Sequence, residues 1–236
     1  MKPLFILPGW GLGRGPLQAV AAALGGAFID LPGYDETPLE TDFDQAVAAI
    51  AERLPPGTTL AGWSLGAQLA LAVAARAPAR VGKLLLIAGT ASFVQRDGWP
   101  DAMPPATLGE FTQAIAADAP AMLPRFVGGF NRGDAQAKAV TAEILRLASP
   151  LPPADVLTSG LGWLRDVDLR ADAPRITAPT LLLHGAADPL MPLPAARALA
   201  ALIPGARLSA FDACAHAPFL SRPDDFLDQA RGFVRA

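Results

Sequence analysis

The chain has a single cysteine, Cys214, among its 236 residues. One cysteine excludes an internal disulfide and the paired-cysteine motifs that bind metals. Histidine is nearly as scarce, because only His184 and His216 are present. Charged residues make up 17% of the chain and the net charge is −3, so no general basic character indicates nucleic-acid binding. We therefore expect no metal site and no nucleic-acid partner.

Long apolar runs are also missing. No run approaches the roughly 20 residues that span a bilayer. The N-terminal run in MKPLFILPGWG stops at a proline and a glycine, which is too early for a secretory signal. We therefore expect a soluble, cytoplasmic protein without a membrane partner. Hydrophobic residues nevertheless make up 52% of the chain, enough for a sizeable core.

Short apolar segments alternate with helical patterns at both ends of the chain. Such alternation is typical of βαβ units in a parallel sheet. From about residue 90 to residue 174 the strand pattern stops, and four successive helical patterns follow. We predict an α/β core of residues 1–90 and 174–236, with a helical insertion of residues 91–173. Ligands bind at the carboxyl ends of strands in open α/β sheets, so the insertion is expected to cover the site as a lid.

The stretch Gly62-Trp63-Ser64-Leu65-Gly66 matches the pattern G-x-S-x-G. It follows an apolar strand pattern and opens an alanine-rich helix, which is the context of a nucleophile elbow. In such an elbow a sharp turn lifts the serine hydroxyl above the sheet, and the flanking glycines let strand and helix cross closely. The alternative is a glycine-lined turn in which Ser64 has no chemical role.

A serine nucleophile needs a base, and His216 is the better candidate of the two histidines. It lies in FDACAHAPF, just after the last predicted strand, where a loop can bring it over Ser64. His184 ends an earlier predicted strand and precedes the best acid, which breaks the order serine, acid, histidine of this fold. We expect His184 to be structural, with its ring bonded to nearby backbone.

The base needs an orienting acid, and Asp188 is best placed for that role. It follows the predicted strand APTLLLHG in a short turn closed by Pro189. Two rivals are Asp172, near the exit of the lid, and Asp212, shortly before His216. Each of these aspartates could instead be a solvated loop residue.

An oxyanion hole needs backbone N–H donors, and two are candidates. One belongs to Leu65, which follows the nucleophile, and the other to Trp10 in the loop PGWGLG after the first strand. The glycine-rich run at residues 9–15 lacks the spacing and the lysine of a nucleotide-binding loop, so we expect no cofactor. Cys214 lies too close to His216 in sequence to form a catalytic pair and is expected to be a small packing residue.

Together these residues resemble the α/β-hydrolase superfamily and, within it, the pimeloyl-acyl-carrier-protein methyl ester carboxylesterases of biotin synthesis. The resemblance covers most of the chain. It rests on the segments LPGWGL, DLPGY, GWSLG, RDGWP, DVLTSGLGWLRDVDLR and AHAPFLSRP. It implies an α/β-hydrolase fold, with a mostly parallel sheet of about six strands and a helical lid.

The resemblance implies roles for individual residues. Ser64 would be the nucleophile, Asp188 the acid and His216 the base, while Trp10 and Leu65 would hold the ester carbonyl. The acyl chain would be lined by an aromatic stretch of the lid, whose residues are Phe126, Val127, Gly128, Gly129 and Phe130. The alternative for the two phenylalanines is packing within the lid.

The family also uses basic lid residues to hold an acidic acyl-carrier protein. Arg125 and Lys138 fall on two of these positions, whereas the other two are occupied by Ala121 and Ala142. Two further arginines lie close by and offer compensating charge, namely Arg132 and Arg146. We therefore expect an acyl-carrier protein as partner, in contact with Arg125 and Lys138.

Two features depart from the family pattern. Pro8 stands where the family usually has a histidine, which removes a hydrogen-bonding group but leaves the Gly-Trp backbone that follows. The chain also starts directly at the first strand, without the family's leading hairpin, so we expect about six strands. The exposed sheet edge leaves two expectations open, a monomer or a dimer paired along that edge.

These observations predict a serine carboxylesterase that hydrolyses the methyl ester of pimeloyl-acyl-carrier protein in biotin synthesis. One alternative is a broad-specificity short-chain carboxylesterase that recognises no carrier protein. The other is a non-catalytic binding protein on the same fold, against which the serine, the acid and the histidine all argue.

Overall fold

The computed structural model describes residues 2–236 and contains a six-stranded sheet. All neighbouring strands are parallel, in the order β2-β1-β3-β4-β5-β6. The predicted parallel sheet of about six strands is confirmed. The strands are β1 (Leu4–Leu7), β2 (Gly26–Phe28), β3 (Thr58–Trp63), β4 (Val81–Ile87), β5 (Thr180–Gly185) and β6 (Arg207–Phe211).

The α-helices alternate with the strands at both ends of the chain. β3 and β5 are buried at every residue, so helices cover both faces at the centre of the sheet. Local signals set the helix ends: the Asp42 side chain accepts the Gln45 N–H at 2.9 Å where α2 begins. The helices are α1 (Gln18–Leu24), α2 (Phe43–Arg53), α3 (Leu65–Arg76), α4 (Pro105–Phe130), α5 (Ala137–Leu147), α6 (Ala154–Asp166), α7 (Leu193–Leu202), α8 (Pro218–Ser221) and α9 (Pro223–Arg235).

Between β4 and β5 the chain forms α4, α5 and α6 and, among the residues described there, only isolated β-bridges. α4 is interrupted at Asp118, whose φ of −156° and ψ of 76° are not helical. The Asp118 carboxylate accepts the Ala121 N–H at 3.1 Å and so caps the second part of α4. The two helical patterns on either side of this aspartate therefore correspond to the two parts of α4. The domain boundaries at residues 90 and 174 stay predictions.

Three parallel strands end next to the residues predicted to carry the chemistry. β3 ends immediately before Ser64, β5 ends shortly before Asp188, and β6 ends shortly before His216. Because the strands are parallel, these ends lie along the same edge of the sheet. The outer strands are β2 and β6, and pairing of two chains along such a strand stays a prediction. None of the helices in residues 2–236 has the combined length and mean hydropathy of a membrane span.

Candidate active site

Ser64 occupies the sharp turn between β3 and α3. Its φ of +57° and ψ of −118° lie in a region that residues with side chains rarely adopt, a strain of about 1–3 kcal/mol. The turn is held by the Ser64 N–H, which donates to the Ile87 carbonyl at 3.0 Å. A Cβ on Gly62 would overlap the Gly66 carbonyl, and a Cβ on Gly66 would overlap the Leu7 carbonyl. Both glycines are therefore required by close backbone contacts.

Asp188 and His216 form a buried hydrogen-bonded pair. Nδ1 of His216 donates to Oδ2 of Asp188 at 2.7 Å. The other carboxylate oxygen accepts the N–H groups of Leu190 and Met191 at 2.9 and 3.0 Å. Both oxygens of the carboxylate therefore accept hydrogen bonds, although only 4% of Asp188 is exposed. In this arrangement it can orient the imidazole and stabilise its cation.

The two rival acids lie elsewhere. The Asp172 carboxylate accepts a hydrogen bond from Nε of Arg76 at 3.1 Å, and Asp212 is exposed. Of the three candidate acids, only Asp188 is bonded to His216 within residues 2–236.

His184, the second histidine, is buried beside this pair. Its Nε2 donates to the Met191 carbonyl at 2.7 Å, a backbone bond of the kind that the sequence predicts. The same nitrogen lies 3.7 Å from Oδ2 of Asp188. Burial lowers the pKa of His184 below its ordinary value, so the ring is neutral at neutral pH.

Ser64 and His216 line the same cavity. Nε2 of His216 is buried and has no hydrogen-bond partner among residues 2–236. Bonds between nucleophile and base are often long in enzymes without substrate, so this nitrogen is available to accept the Ser64 proton. The Trp63 indole N–H donates to the His216 carbonyl at 2.9 Å, and the Phe130 ring lies 5.2 Å from the imidazole. A residue of the elbow and a residue of α4 therefore pack against the histidine.

The cavity has a volume of about 410 Å³ and a largely apolar lining. From the aromatic lid stretch, Phe126, Gly129 and Phe130 reach it. Val127 and Gly128 do not, because the helical repeat turns them away: Val127 is fully buried elsewhere and Gly128 is exposed. Other apolar residues of the lining include Phe93, Leu108, Phe111, Met122, Leu161 and Leu190.

Two backbone N–H groups near the elbow are suited to an oxyanion. Neither the Trp10 N–H nor the Leu65 N–H donates to a residue that the structure describes. The Trp10 side chain lines the cavity and is fixed in place, because its indole N–H donates to the Leu157 carbonyl at 2.9 Å. Both N–H groups are therefore free to donate hydrogen bonds to an oxyanion formed at Ser64.

A buried tyrosine holds the loop that carries Trp10. The Gly11 N–H donates to Oη of Tyr34 at 2.7 Å. Burial raises the pKa of Tyr34 to about 12, so the phenol stays protonated. Sequence reasoning missed this role, although the tyrosine lies in the segment DLPGY. The bond supports the loop without a histidine at the position of Pro8.

A second missed residue lies in the lid. Asp134, between α4 and α5, is buried, and its carboxylate accepts the Ala215 N–H at 2.8 Å and the Ser221 hydroxyl at 2.9 Å. Ala215 precedes His216, so a lid carboxylate is bonded to the loop that carries the candidate base. No sequence motif marks this contact, because it joins residues that are 81 positions apart.

Basic residues lie around the opening of the cavity. Arg125 and Arg132 line the cavity and are exposed, so they mark its mouth. Lys138 is exposed on α5 and does not line the cavity. Arg146 forms an ion pair with Glu143 at 2.6 Å, which reduces the charge that it can offer a partner.

Cys214 is buried and does not line the cavity. Burial raises the pKa of its thiol to about 12, and only the thiolate is a good nucleophile. Within residues 2–236, no three histidine, cysteine, aspartate or glutamate side chains converge as ligands for a metal ion.

Several known proteins are similar to this chain in sequence, and one solved structure is similar to it in fold. Residues 4–229 match the alpha/beta hydrolase family. A pimeloyl-acyl-carrier-protein methyl ester esterase of Nitrosomonas europaea is 38% identical, over 95% of this chain and 92% of the relative. A protein of the same name from Aromatoleum aromaticum is 39% identical, over 94% of each chain. An esterase from Exiguobacterium antarcticum has a TM-score of 0.88 and 25% identity, over 100% of this chain and 92% of that one. The chain therefore belongs to the alpha/beta hydrolase family and, within it, to the family of these methyl ester esterases.

Proposed function

We propose that the protein is a serine carboxylesterase that hydrolyses the methyl ester of pimeloyl-acyl-carrier protein, freeing the pimeloyl carboxylate in biotin synthesis. One observation carries the proposal. Ser64, on a turn with positive φ, and His216, bonded to Asp188, line one apolar cavity with arginines at its mouth. The two relatives named above, both methyl ester esterases, support the choice of substrate.

The first step forms an acyl-enzyme. Nε2 of His216 accepts the Ser64 proton while Oγ attacks the carbonyl carbon of the methyl ester. The carbonyl π electrons move to oxygen, and the resulting oxyanion accepts hydrogen bonds from the N–H groups of Trp10 and Leu65. When the oxyanion collapses, the bond to the methoxy oxygen breaks. That oxygen takes the proton from His216 and leaves as methanol.

The second step releases the acid. His216 accepts a proton from water, and the hydroxide attacks the ester formed on Ser64. Collapse of the second oxyanion breaks the bond to Oγ, which recovers its proton from His216. Asp188 keeps Nδ1 protonated in both steps and stabilises the imidazolium that forms twice in each cycle.

The cavity fits an acyl chain attached to a larger carrier. Its apolar lining suits a chain of methylene groups, which gains free energy when it leaves water. The methyl ester would lie at Ser64, and the carrier would stay outside the mouth. Arg125 and Arg132 line the mouth, and Lys138 is exposed on the neighbouring α5. These charges would attract an acidic carrier protein.

A second candidate is a broad-specificity short-chain carboxylesterase without carrier recognition. The composition of the lid surface favours it. Ala121 and Ala142 are exposed at two of the four positions where the family has basic residues, and Arg146 is paired with Glu143. This candidate uses the same chemistry at Ser64 and differs only in how substrate is selected.

Charge reversal separates the two candidates. Arg125→Glu combined with Lys138→Glu is assayed on the carrier-bound methyl ester and on p-nitrophenyl butyrate. Carrier recognition predicts that the ratio of the two kcat/KM values falls about tenfold or more, because two attractive charges become repulsive. The matched control is Arg197→Glu, which reverses an exposed charge on α7. Unchanged turnover of the carrier-bound ester, with p-nitrophenyl butyrate still hydrolysed well, would favour the second candidate.

Growth tests the biological role. The gene is expected to restore growth without biotin to a bacterial strain that lacks its own methyl ester esterase, and Ser64→Ala is expected not to. If wild-type protein hydrolyses no ester and Ser64→Ala behaves identically, the esterase proposal fails and a binding protein remains.

A further inference from the structure

We propose that Asp134 is a positioning residue for His216, so that the lid supplies part of the catalytic apparatus as well as a cover. The inference rests on the proposed function, because it concerns the base of that reaction. The segment it holds is the histidine loop, residues 212–217, between β6 and α8.

The Asp134 carboxylate connects the lid to this loop through one oxygen and to the end of α8 through the other. Oδ2 accepts the Ala215 N–H at 2.8 Å. Oδ1 accepts the Ser221 hydroxyl at 2.9 Å and the Gln136 N–H at 2.7 Å. Asp134 is 7% exposed, so these donors replace the water that the charge would otherwise bind.

The backbone beside Asp134 repeats the connection. The Ala135 N–H donates to the Ala213 carbonyl at 2.9 Å, and Nε2 of Gln136 donates to the Ser221 carbonyl at 2.8 Å. Ala213 has a φ of +52°, which residues with side chains rarely adopt unless their surroundings hold them there. Three consecutive lid residues therefore hold the histidine loop and the helix that follows it.

The opposite side of the loop is blocked by the core. A Cβ on Gly185, at the end of β5, would overlap the Ala215 carbonyl. The backbone of Ala215, the residue before His216, is thus confined between β5 and the Asp134 carboxylate. If the carboxylate is lost, the loop is no longer held on the lid side at Ala215, and we expect Nε2 of His216 to shift relative to Ser64. A displacement of about 1 Å at a reacting group can lower the rate about 100-fold.

The chemistry of the contact calls for a carboxylate. A carboxylate only accepts, and three donors point at it. Asparagine at position 134 has a single acceptor oxygen, so one N–H group would face an NH2 group. Alanine leaves every donor without a partner. The expected order of activity is therefore aspartate, then asparagine, then alanine.

The experiment measures kcat and KM for p-nitrophenyl butyrate, together with melting temperature, for wild type, Asp134→Asn and Asp134→Ala. We expect kcat to fall about tenfold for the asparagine variant and about 100-fold for the alanine variant. KM should stay within about twofold, because Asp134 does not line the cavity. The matched control is Asp172→Asn, a buried carboxylate bonded to Arg76, which should lower the melting temperature and leave kcat unchanged.

A spectroscopic readout follows the histidine directly. The proton on Nδ1 of His216, bonded to Asp188, gives a separate far-downfield signal in proton NMR. We expect this signal to weaken or broaden in Asp134→Asn and to persist in Asp172→Asn. If Asp134→Ala does not fold, the positioning role is tested with Asp134→Asn and Ser221→Ala instead. Ser221→Ala removes one bond to the carboxylate and should lower kcat by a smaller factor.

Two results would overturn the inference. One is a wild-type kcat in Asp134→Asn or Asp134→Ala at a temperature where the protein is folded. The other is an equal loss of kcat in Asp172→Asn, which would indicate a general effect of stability. Failure of the proposed function is distinct, since wild-type protein would then hydrolyse no ester at all.

Discussion

The nucleophile elbow and the histidine loop meet at one cavity but are built in opposite ways. The elbow is held by close backbone contacts around residues 62–66, where glycines are required. The histidine loop is held by groups from distant segments, namely the indole of Trp63, the carboxylates of Asp134 and Asp188, and the backbone N–H of Ala135. An elbow of this kind leaves a short motif in the sequence, whereas a loop held from a distance leaves none.

The largest expected effect is at the elbow itself. Ser64→Ala and Ser64→Gly both remove the nucleophile, so kcat should fall by a factor on the order of 10⁴–10⁶. The two variants should differ in stability, because alanine keeps the Cβ that the φ of +57° disfavours. We expect the glycine variant to have the higher free energy of unfolding, by about 1 kcal/mol. Urea denaturation measures this difference, and a more stable alanine variant would contradict the strain.

The next effect concerns Gly66, the second glycine of the elbow. Gly66→Ala forces a Cβ against the Leu7 and Pro8 carbonyls, so the free energy of unfolding should fall by about 3 kcal/mol and activity should be lost with it. The matched control is Gly109→Ala on α4, where a Cβ has open space. This variant should gain up to about 1 kcal/mol, because alanine favours helix. If Gly66→Ala lowers the free energy of unfolding and Gly109→Ala raises it, backbone crowding is the cause of the loss at position 66.

Much of the fold could be predicted because its signals are local. Apolar runs predict the six strands, and the G-x-S-x-G pattern predicts the turn at Ser64, which the structure places between β3 and α3. Asp172, Asp188 and Asp212 all lie between Ser64 and His216 in the chain, so order alone did not choose among them; Asp188 was favoured by its short turn after a predicted strand, and it is the one bonded to His216. Asp212 is nearer in sequence but is exposed.

The parts that sequence reasoning missed depend on tertiary contacts. Asp134 and Tyr34 act through hydrogen bonds to backbone that is distant in sequence, and no spacing rule finds such pairs. Within the aromatic lid stretch, the helical repeat decides which residues face the cavity. It brings Phe126 and Phe130 to the lining and turns Val127 away.

Tyr34 is an exception among the groups near the elbow, because it supports the loop that carries Trp10 through a side chain. Tyr34→Phe leaves the buried Gly11 N–H without its acceptor, so the loop that carries Trp10 should shift. We expect kcat to fall about tenfold and the free energy of unfolding to fall by about 1–3 kcal/mol. The measurement is steady-state kinetics with p-nitrophenyl butyrate beside urea denaturation. If kcat is unchanged, the loop that carries Trp10 is held by backbone contacts alone, as the elbow is.

The smallest expected effect is a pH dependence of the free energy of unfolding that arises from His184. Burial lowers the pKa of folded His184, while the unfolded chain keeps the ordinary value near 6.5. Between these two pKa values the unfolded state binds more protons, so the free energy of unfolding decreases as pH falls. The slope contributed by one such group is at most about 1.4 kcal/mol per pH unit.

His184→Gln removes this titration and keeps an N–H donor for the Met191 carbonyl. We expect the difference in unfolding free energy between wild type and His184→Gln to be constant above roughly pH 7 and to shrink below about pH 6.5. Urea denaturation of both proteins across this range measures it. Parallel curves throughout would mean that His184 titrates alike in the folded and unfolded states. In that case burial beside Asp188 does not disfavour the charged form of the His184 ring.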